Sequence, residues 1–69
     1  MSKEAIIVAI GKEEGKLKRQ QENHESTKAL MAIVGESAKE IAKAERQEAA
    51  MRETEANIAA LKKALAKAK

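Results

Sequence analysis

Twelve residues near the middle of the chain decide its fold, and they read ALMAIVGESAKE over positions 29–40. The apolar part of this stretch ends at Gly35, and glycine just past a helix end takes a positive φ angle without steric cost. Two residues later, Ser37 and Glu40 match the capping box S-x-x-E, in which each side chain binds the backbone N–H of the other residue. A stop signal followed directly by a start signal predicts a tight turn between antiparallel helices.

Outward from this turn, the sequence predicts a single helical hairpin over residues 1–69. Helix 1 covers about 3–34, the turn 35–37 and helix 2 about 38–68. The chain has no proline, three glycines and no aromatic residue, and it is rich in Ala, Lys and Glu. Few turn residues and many helix formers favour an all-α fold.

Two other folds remain open from the sequence alone. One is a continuous helix through Gly35, which would cost only about 1 kcal/mol at that glycine. The other makes Gly11–Gly15 a loop, with residues 5–10 and 29–34 as short strands. A two-stranded sheet of that length is marginal, and no aromatic side chain is present to cover it.

Helix 2 carries an apolar seam with alternating spacings of three and four residues, the pattern of a left-handed coiled coil. The seam consists of Ala44, Gln47, Met51, Thr54, Ile58, Leu61, Leu65 and Ala68. Helix 1 has a similar seam that is apolar at both ends and polar in its middle. Folding the hairpin about Glu36 places His24 opposite Gln47 or Glu48, and Lys62 near Glu13 and Glu14.

Self-association is the stabilising device that this composition leaves available. A core of this size supplies only about 3–5 kcal/mol, and the absence of cysteine excludes disulfides and thiolate metal sites. We therefore expect a coiled-coil-like helical bundle of hairpins, with a homodimer of four helices as first choice and a trimer as second. The expected oligomer interface comprises Ile6, Ile7, Ile10, Leu17, Leu30, Met31, Ile33, Val34, Ile41, Met51, Ile58, Leu61 and Leu65.

Polar seam residues converge in the middle of the hairpin and predict a polar core layer. Its members are Gln20, His24, Thr27, Gln47, Glu48 and Thr54. The layer is interpreted either as a hydrogen-bonded structure that sets register and oligomer number, or as a metal site repeated by symmetry. Carboxylate-bridged metals in bundles need Glu-x-x-His, and Gln21 occupies the glutamate position here. We therefore expect no metal, no cofactor and no catalytic residue.

The charge pattern defines the second functional hypothesis. Fourteen basic and eleven acidic residues are interspersed along the chain, for a net charge of +3. Lys12, Lys16, Arg19 and Lys28 are candidates for contacts to nucleic-acid phosphates, although acidic residues lie between them in sequence. No apolar run is long enough to span a bilayer, and no targeting signal is evident, so the expected setting is cytoplasmic or synthetic.

The hairpin resembles two known kinds of protein. Its length and architecture are similar to the Rop family of plasmid RNA regulators, whose two-helix chains dimerise into four-helix bundles. That resemblance implies an RNA-binding helix face, but the aromatic residue of such a face is missing here. The Gly35/Ser37–Glu40 turn and the segment 58–65, IAALKKAL, also resemble de novo designed helical-hairpin homo-oligomers. The expected function is thus structural self-assembly, with a small nucleic-acid-binding regulator as the alternative.

Overall fold

The computed structural model describes residues 2–68 and consists of two long helices. Helix α1 spans Lys3–Val34 and helix α2 spans Ala38–Lys67, with 32 and 30 residues respectively. The helices pack against each other in antiparallel orientation, and residues 2–68 contain no strand. The predicted all-α hairpin is confirmed, whereas the continuous-helix and two-strand alternatives are wrong. Met1 and Lys69, at the ends of the predicted 1–69 domain, lie outside the described residues.

The turn follows from the conformation of Gly35. This residue has φ 90° and ψ 162°, and its N–H donates to the Met31 carbonyl at 2.9 Å. A side chain at such a φ angle would be strained, so glycine is the residue that ends α1 here. Helix α2 ends at Lys67, one residue before its predicted end, where the Ala68 N–H donates to the Leu65 carbonyl at 3.1 Å.

Serine residues begin both helices. The Glu40 N–H donates to Ser37 Oγ at 3.2 Å, and the Ala5 N–H donates to Ser2 Oγ at 3.2 Å. The capping box at Ser37 is only half formed, because Glu40 Oε2 is buried without a hydrogen-bond partner instead of accepting from the Ser37 N–H. One side-chain bond per helix start still satisfies one of the exposed N–H groups of the first turn.

The hairpin is a rod with principal dimensions of 52 × 15 × 12 Å. Within residues 2–68, the buried apolar side chains are Ile6, Ile10 and Ile58, all in the half of the rod away from the turn. The middle of the rod buries polar residues instead, namely His24, Thr27 and Thr54. The helical stretch through Gly11 and Gly15 is continuous, so the loop predicted as an alternative at these residues does not form.

Candidate functional surfaces

His24 forms the main polar contact between the two helices. Its side chain is only 5% exposed, and its Nδ1 lies 3.0 Å from Gln47 Oε1. On the other edge of the ring, Nε2 lies 3.4 Å from Glu48 Oε1, a distance that makes an ion pair when the imidazole is protonated. The partners are the two residues that the predicted register places opposite His24. A slip of one helix past the other would leave the buried imidazole unpaired, which is costly.

The remaining members of the predicted polar layer do not bond across the hairpin. Thr27 Oγ1 donates to the Asn23 carbonyl at 3.1 Å, and Thr54 Oγ1 donates to the Ala50 carbonyl at 3.0 Å. Each threonine therefore satisfies its hydroxyl within its own helix. Gln20 Oε1 is buried without a hydrogen-bond partner. The structure thus brings His24, Gln47 and Glu48 together as a cluster and leaves the other three as separate polar residues, of which Thr27 and Thr54 are buried.

The residues 2–68 contain no group of three or more His, Asp or Glu side chains arranged to hold a metal ion. A single imidazole beside one carboxylate and one amide is a weak donor set for a transition metal. What this geometry can do chemically is fix the relative position of the helices.

The aliphatic residues expected at an oligomer interface fall into three groups. Ile6, Ile10 and Ile58 are buried inside one hairpin and form its own core. Intermediate exposure is found for Leu17, Met31, Met51, Leu61 and Leu65. Large exposed side chains are Ile7, Val8, Leu30, Ile33, Val34 and Ile41, with Ile33 82% exposed. Val8 belongs to this third group as well.

Across residues 2–68, a groove runs between the helices on each broad side of the rod. The first is lined near the middle by Glu14, Lys18, Gln21, Glu55 and Lys62, and farther from the turn by Ile7, Gly11 and Leu65. The second is lined by Asn23, Ser26, Leu30, Lys43 and Gln47. Residues seven apart lie on the same side of a packed helix, so these linings assign the other surface residues to one broad side or the other.

The side with the second groove is strongly basic. Steps of seven residues within the helices from Asn23, Ser26, Lys43 and Arg46, which lies three residues after Lys43, reach seven basic residues and one acidic residue of the described chain, with Lys43 and Arg46 included. We call this the basic face, and its charged residues are Lys12, Lys16, Arg19, Lys39, Lys43, Arg46, Lys67 and Glu53. Along α2 alone, from Lys39 to Lys67, it extends about 42 Å.

The side with the first groove carries both signs of charge. Within the described chain it has four basic and six acidic residues, and we call it the mixed face. Its charged residues are Lys18, Lys28, Arg52, Lys62, Glu4, Glu14, Glu25, Glu45, Glu48 and Glu55. One ion pair within the hairpin lies here, with Lys62 Nζ 3.9 Å from Glu14 Oε2. This contact matches the predicted proximity of Lys62 to Glu14.

Comparison with known proteins leaves the function to be argued from these surfaces. No protein-family model and no curated protein matches the sequence, and no solved structure matches the fold. Across residues 2–68, neither helix is apolar enough over the required length to cross a membrane.

The separation of charge between the two faces was missed from the sequence, where the charges look evenly mixed. Lys28 lies seven residues after Gln21 and so belongs to the mixed face, apart from Lys12, Lys16 and Arg19. The signal was present in the spacing of the charges relative to each seam. It could be used only once the side of α1 and the side of α2 that border the same groove were known.

Proposed function

We propose that this chain is a structural self-assembly module that forms a homo-oligomeric helical bundle without enzymatic activity. The homodimer of four helices is the first choice, and a trimer is the second. The single observation that carries the proposal is the small share of apolar surface that one hairpin buries. Three isoleucines are buried in the described residues, while six large aliphatic side chains are exposed.

The surface area supports this proposal quantitatively. The hairpin exposes 5194 Å² to solvent. A compact monomer of 7.5 kDa exposes about 4,250 Å², so the excess is about 950 Å². A stable interface between two proteins buries about 800 Å² on each partner. The excess area of one hairpin is therefore of the size that one association step removes.

The distribution of exposed aliphatic residues also favours association. Ile7 and Val8 lie at the end of the rod away from the turn, while Leu30, Ile33, Val34 and Ile41 lie at the turn end. Burying one such side chain contributes about 1.5–3 kcal/mol. Packing against another hairpin would bury several of them at once. Because the two rods are equally long, the polar middle of one hairpin would lie beside the polar middle of the other.

Sedimentation equilibrium over a wide dilution range tests the proposal. We expect a mass at least twice 7.5 kDa at micromolar concentration, and a helical circular dichroism signal that falls as the oligomer dissociates. A fourfold variant, Ile7→Ser, Leu30→Ser, Ile33→Ser and Ile41→Ser, should dissociate at higher concentration. The matched control changes exposed alanines to serine at positions 5, 29, 49 and 56 and should remain associated. A fully helical monomer at all concentrations would contradict the proposal.

A nucleic-acid-binding regulator is the second candidate, and the basic face is the observation that favours it. Phosphate contacts by Lys and Arg release counterions, so the affinity falls as salt is raised. The variant Lys12→Gln, Lys16→Gln, Arg19→Gln should reduce the salt slope for duplex RNA or DNA by about 3 if each side chain contacts one phosphate. The control variant Lys18→Gln, Lys28→Gln, Lys63→Gln removes the same charge outside the basic face. This candidate function would be ruled out if both variants lost binding equally, or if the parent chain bound no nucleic acid.

A further inference from the structure

We infer that a second copy of this chain docks on the mixed face, with the two α2 helices antiparallel and Glu45 of each copy beside Lys62 of the other. This inference rests on the proposed self-assembly and specifies its contact surface. Three features favour a second copy as the partner on the mixed face. They are the charge of each face, the register of α2 against its copy, and a groove shaped to accept an aliphatic side chain.

Charge excludes a symmetric dimer through the basic face. A twofold contact brings the same surface of both copies together, and here it would oppose seven cations to seven cations with one acidic residue on each side. Like charges held together across an interface are strongly unfavourable. The mixed face carries both signs of charge. When one copy is turned end over end, basic residues of one copy can therefore lie beside acidic residues of the other.

The register follows from the order of charges along the mixed side of α2. From the turn outward, this side carries Ile41, Glu45, Glu48, Arg52, Glu55, Ala59, Lys62 and Ala66. Turning a second α2 around and centring it between Arg52 and Glu55 places no charged residue against one of the same sign on this side of α2. Glu45 then meets Lys62, Arg52 meets Glu55, Glu48 meets Ala59, and Ile41 meets Ala66. The twofold axis repeats every pair, so the contact contains four pairs of opposite charge.

A parallel pairing of the same helices would oppose each residue to itself. Glu45, Arg52 and Lys62 would then each face a like charge, so the order of charges along α2 favours the antiparallel pairing of this helix with its copy over the parallel pairing. On α1, the antiparallel arrangement brings Glu14 level with Glu25 of the second copy. This is the one like-charged pair, and Glu14 is already paired with Lys62 of its own chain.

The groove at the far end of the mixed face accepts the turn end of the second copy. It is an open groove of about 500 Å³ whose apolar lining comprises Ile7, Ile10, Gly11 and Leu65. In the antiparallel register, Ile41 of one copy lies at this groove of the other, above Ala66. Gly11 and Ala66 are small enough to allow a close approach, and Ile41 is exposed in the isolated hairpin. Each copy would therefore supply both an aliphatic knob and a groove.

Disulfide trapping tests the choice of face, because the chain has no cysteine of its own. The variant Glu48→Cys/Ala59→Cys places the two thiols on the mixed face in the inferred register. The matched control Ala50→Cys/Asn57→Cys has the same register on the basic face. We expect rapid formation of a covalent dimer for the first variant and little for the second. Equal trapping, or faster trapping on the basic face, would overturn the inference.

Charge reversal tests the register. Glu45 and Lys62 are about 25 Å apart along one α2 helix, so they cannot meet within a chain. Glu45→Lys should weaken dimerisation about tenfold, since two pairs become repulsive in each dimer. Lys62→Glu should weaken it by at least as much, because it also breaks the pair with Glu14. The double reversal should recover affinity relative to both single variants, and an additive loss would overturn the register.

The two tests separate this inference from the proposed function. A dimeric mass without trapping on the mixed face overturns the inference and leaves self-assembly intact. A trimeric mass, or progressive polymerisation by stacking of basic faces on mixed faces, also overturns the inference alone. A monomer at all concentrations overturns both.

Discussion

Nδ1 of His24 lies 3.0 Å from Oε1 of Gln47, which joins the two helices by a hydrogen bond at the polar centre of the rod. His24 is buried, while the carboxylate of Glu48 on the other side of the ring is about half exposed, with 46% of its side-chain surface accessible. A buried polar atom that loses its partner retains the full cost of its desolvation, whereas an exposed ion pair contributes little. The contact with Gln47 should therefore matter more to stability than the contact with Glu48.

Gln47→Ala should lower the free energy of unfolding by about 1–3 kcal/mol, because it leaves the His24 ring nitrogen without its partner. Glu48→Gln, which keeps an oxygen near Nε2, should change it by less than about 1 kcal/mol. Urea denaturation at one fixed protein concentration measures both variants. Equal effects of the two substitutions would show that the hydrogen bond between the helices is not the important contact.

Thr54 is the most buried side chain of the described residues, at 1% exposure, yet its hydroxyl bonds to a carbonyl of its own helix. Thr54→Val keeps the shape and removes a bond that the helix does not need, so stability should change by less than about 1 kcal/mol. Thr54→Ser keeps the hydroxyl and deletes a buried methyl group, which should cost about 1 kcal/mol. Thermal denaturation distinguishes the two. If Thr54→Val is the more damaging substitution, the hydroxyl has a partner outside its own helix.

The glycines of the chain should respond in opposite directions to alanine. Gly35 has φ 90° and ψ 162°, so Gly35→Ala introduces backbone strain and should destabilise the hairpin by about 1–3 kcal/mol. Gly15 is helical, and an added Cβ would meet only Arg19 Nη1, at 4.0 Å. Gly15→Ala should therefore stabilise the hairpin by about 1 kcal/mol. Denaturant midpoints provide the measurement, and a stabilising Gly35→Ala would mean that the turn tolerates a different conformation.

Ser37 and Ser26 occupy different structural roles and provide an internal comparison. Ser37 accepts from the Glu40 N–H, so Ser37→Ala should cost about 1 kcal/mol of stability. Ser26 donates to the Glu22 carbonyl inside α1, and serine is a weaker helix former than alanine, so Ser26→Ala should be neutral or slightly stabilising. Equal losses in thermal stability would contradict the capping role of Ser37.

Most of the fold could be predicted from the sequence because its determinants are local. Gly35, Ser37 and Ser2 act on the backbone within a few residues of themselves, so their effects do not depend on distant parts of the chain. The register also followed from the sequence, since the turn leaves few ways to align two rods of nearly equal length. The contacts of His24 with Gln47 and of Lys62 with Glu14 agree with that register.

The candidate surfaces were less accessible to sequence reasoning. Ile6 and Ile7 are neighbours of the same type, but the first is buried and the second is 53% exposed. Thr27 and Thr54 look like partners for a polar layer, but each hydroxyl donates to a carbonyl of its own helix. Such outcomes depend on where a side chain points after packing, and a short sequence pattern does not specify that direction.

By itself, the sequence determined that this protein is a hairpin of two long helices with a polar centre, because helix propensity, capping and glycine backbone freedom are properties of short segments. Only the tertiary structure decided that His24 binds Gln47, and that basic residues gather on one broad side while acidic and basic residues share the other. The physical reason is that a helix presents its residues all around its axis. A charged residue can be assigned to one broad face only when a second helix packs against the first, because the packed seam then separates the two sides of the pair.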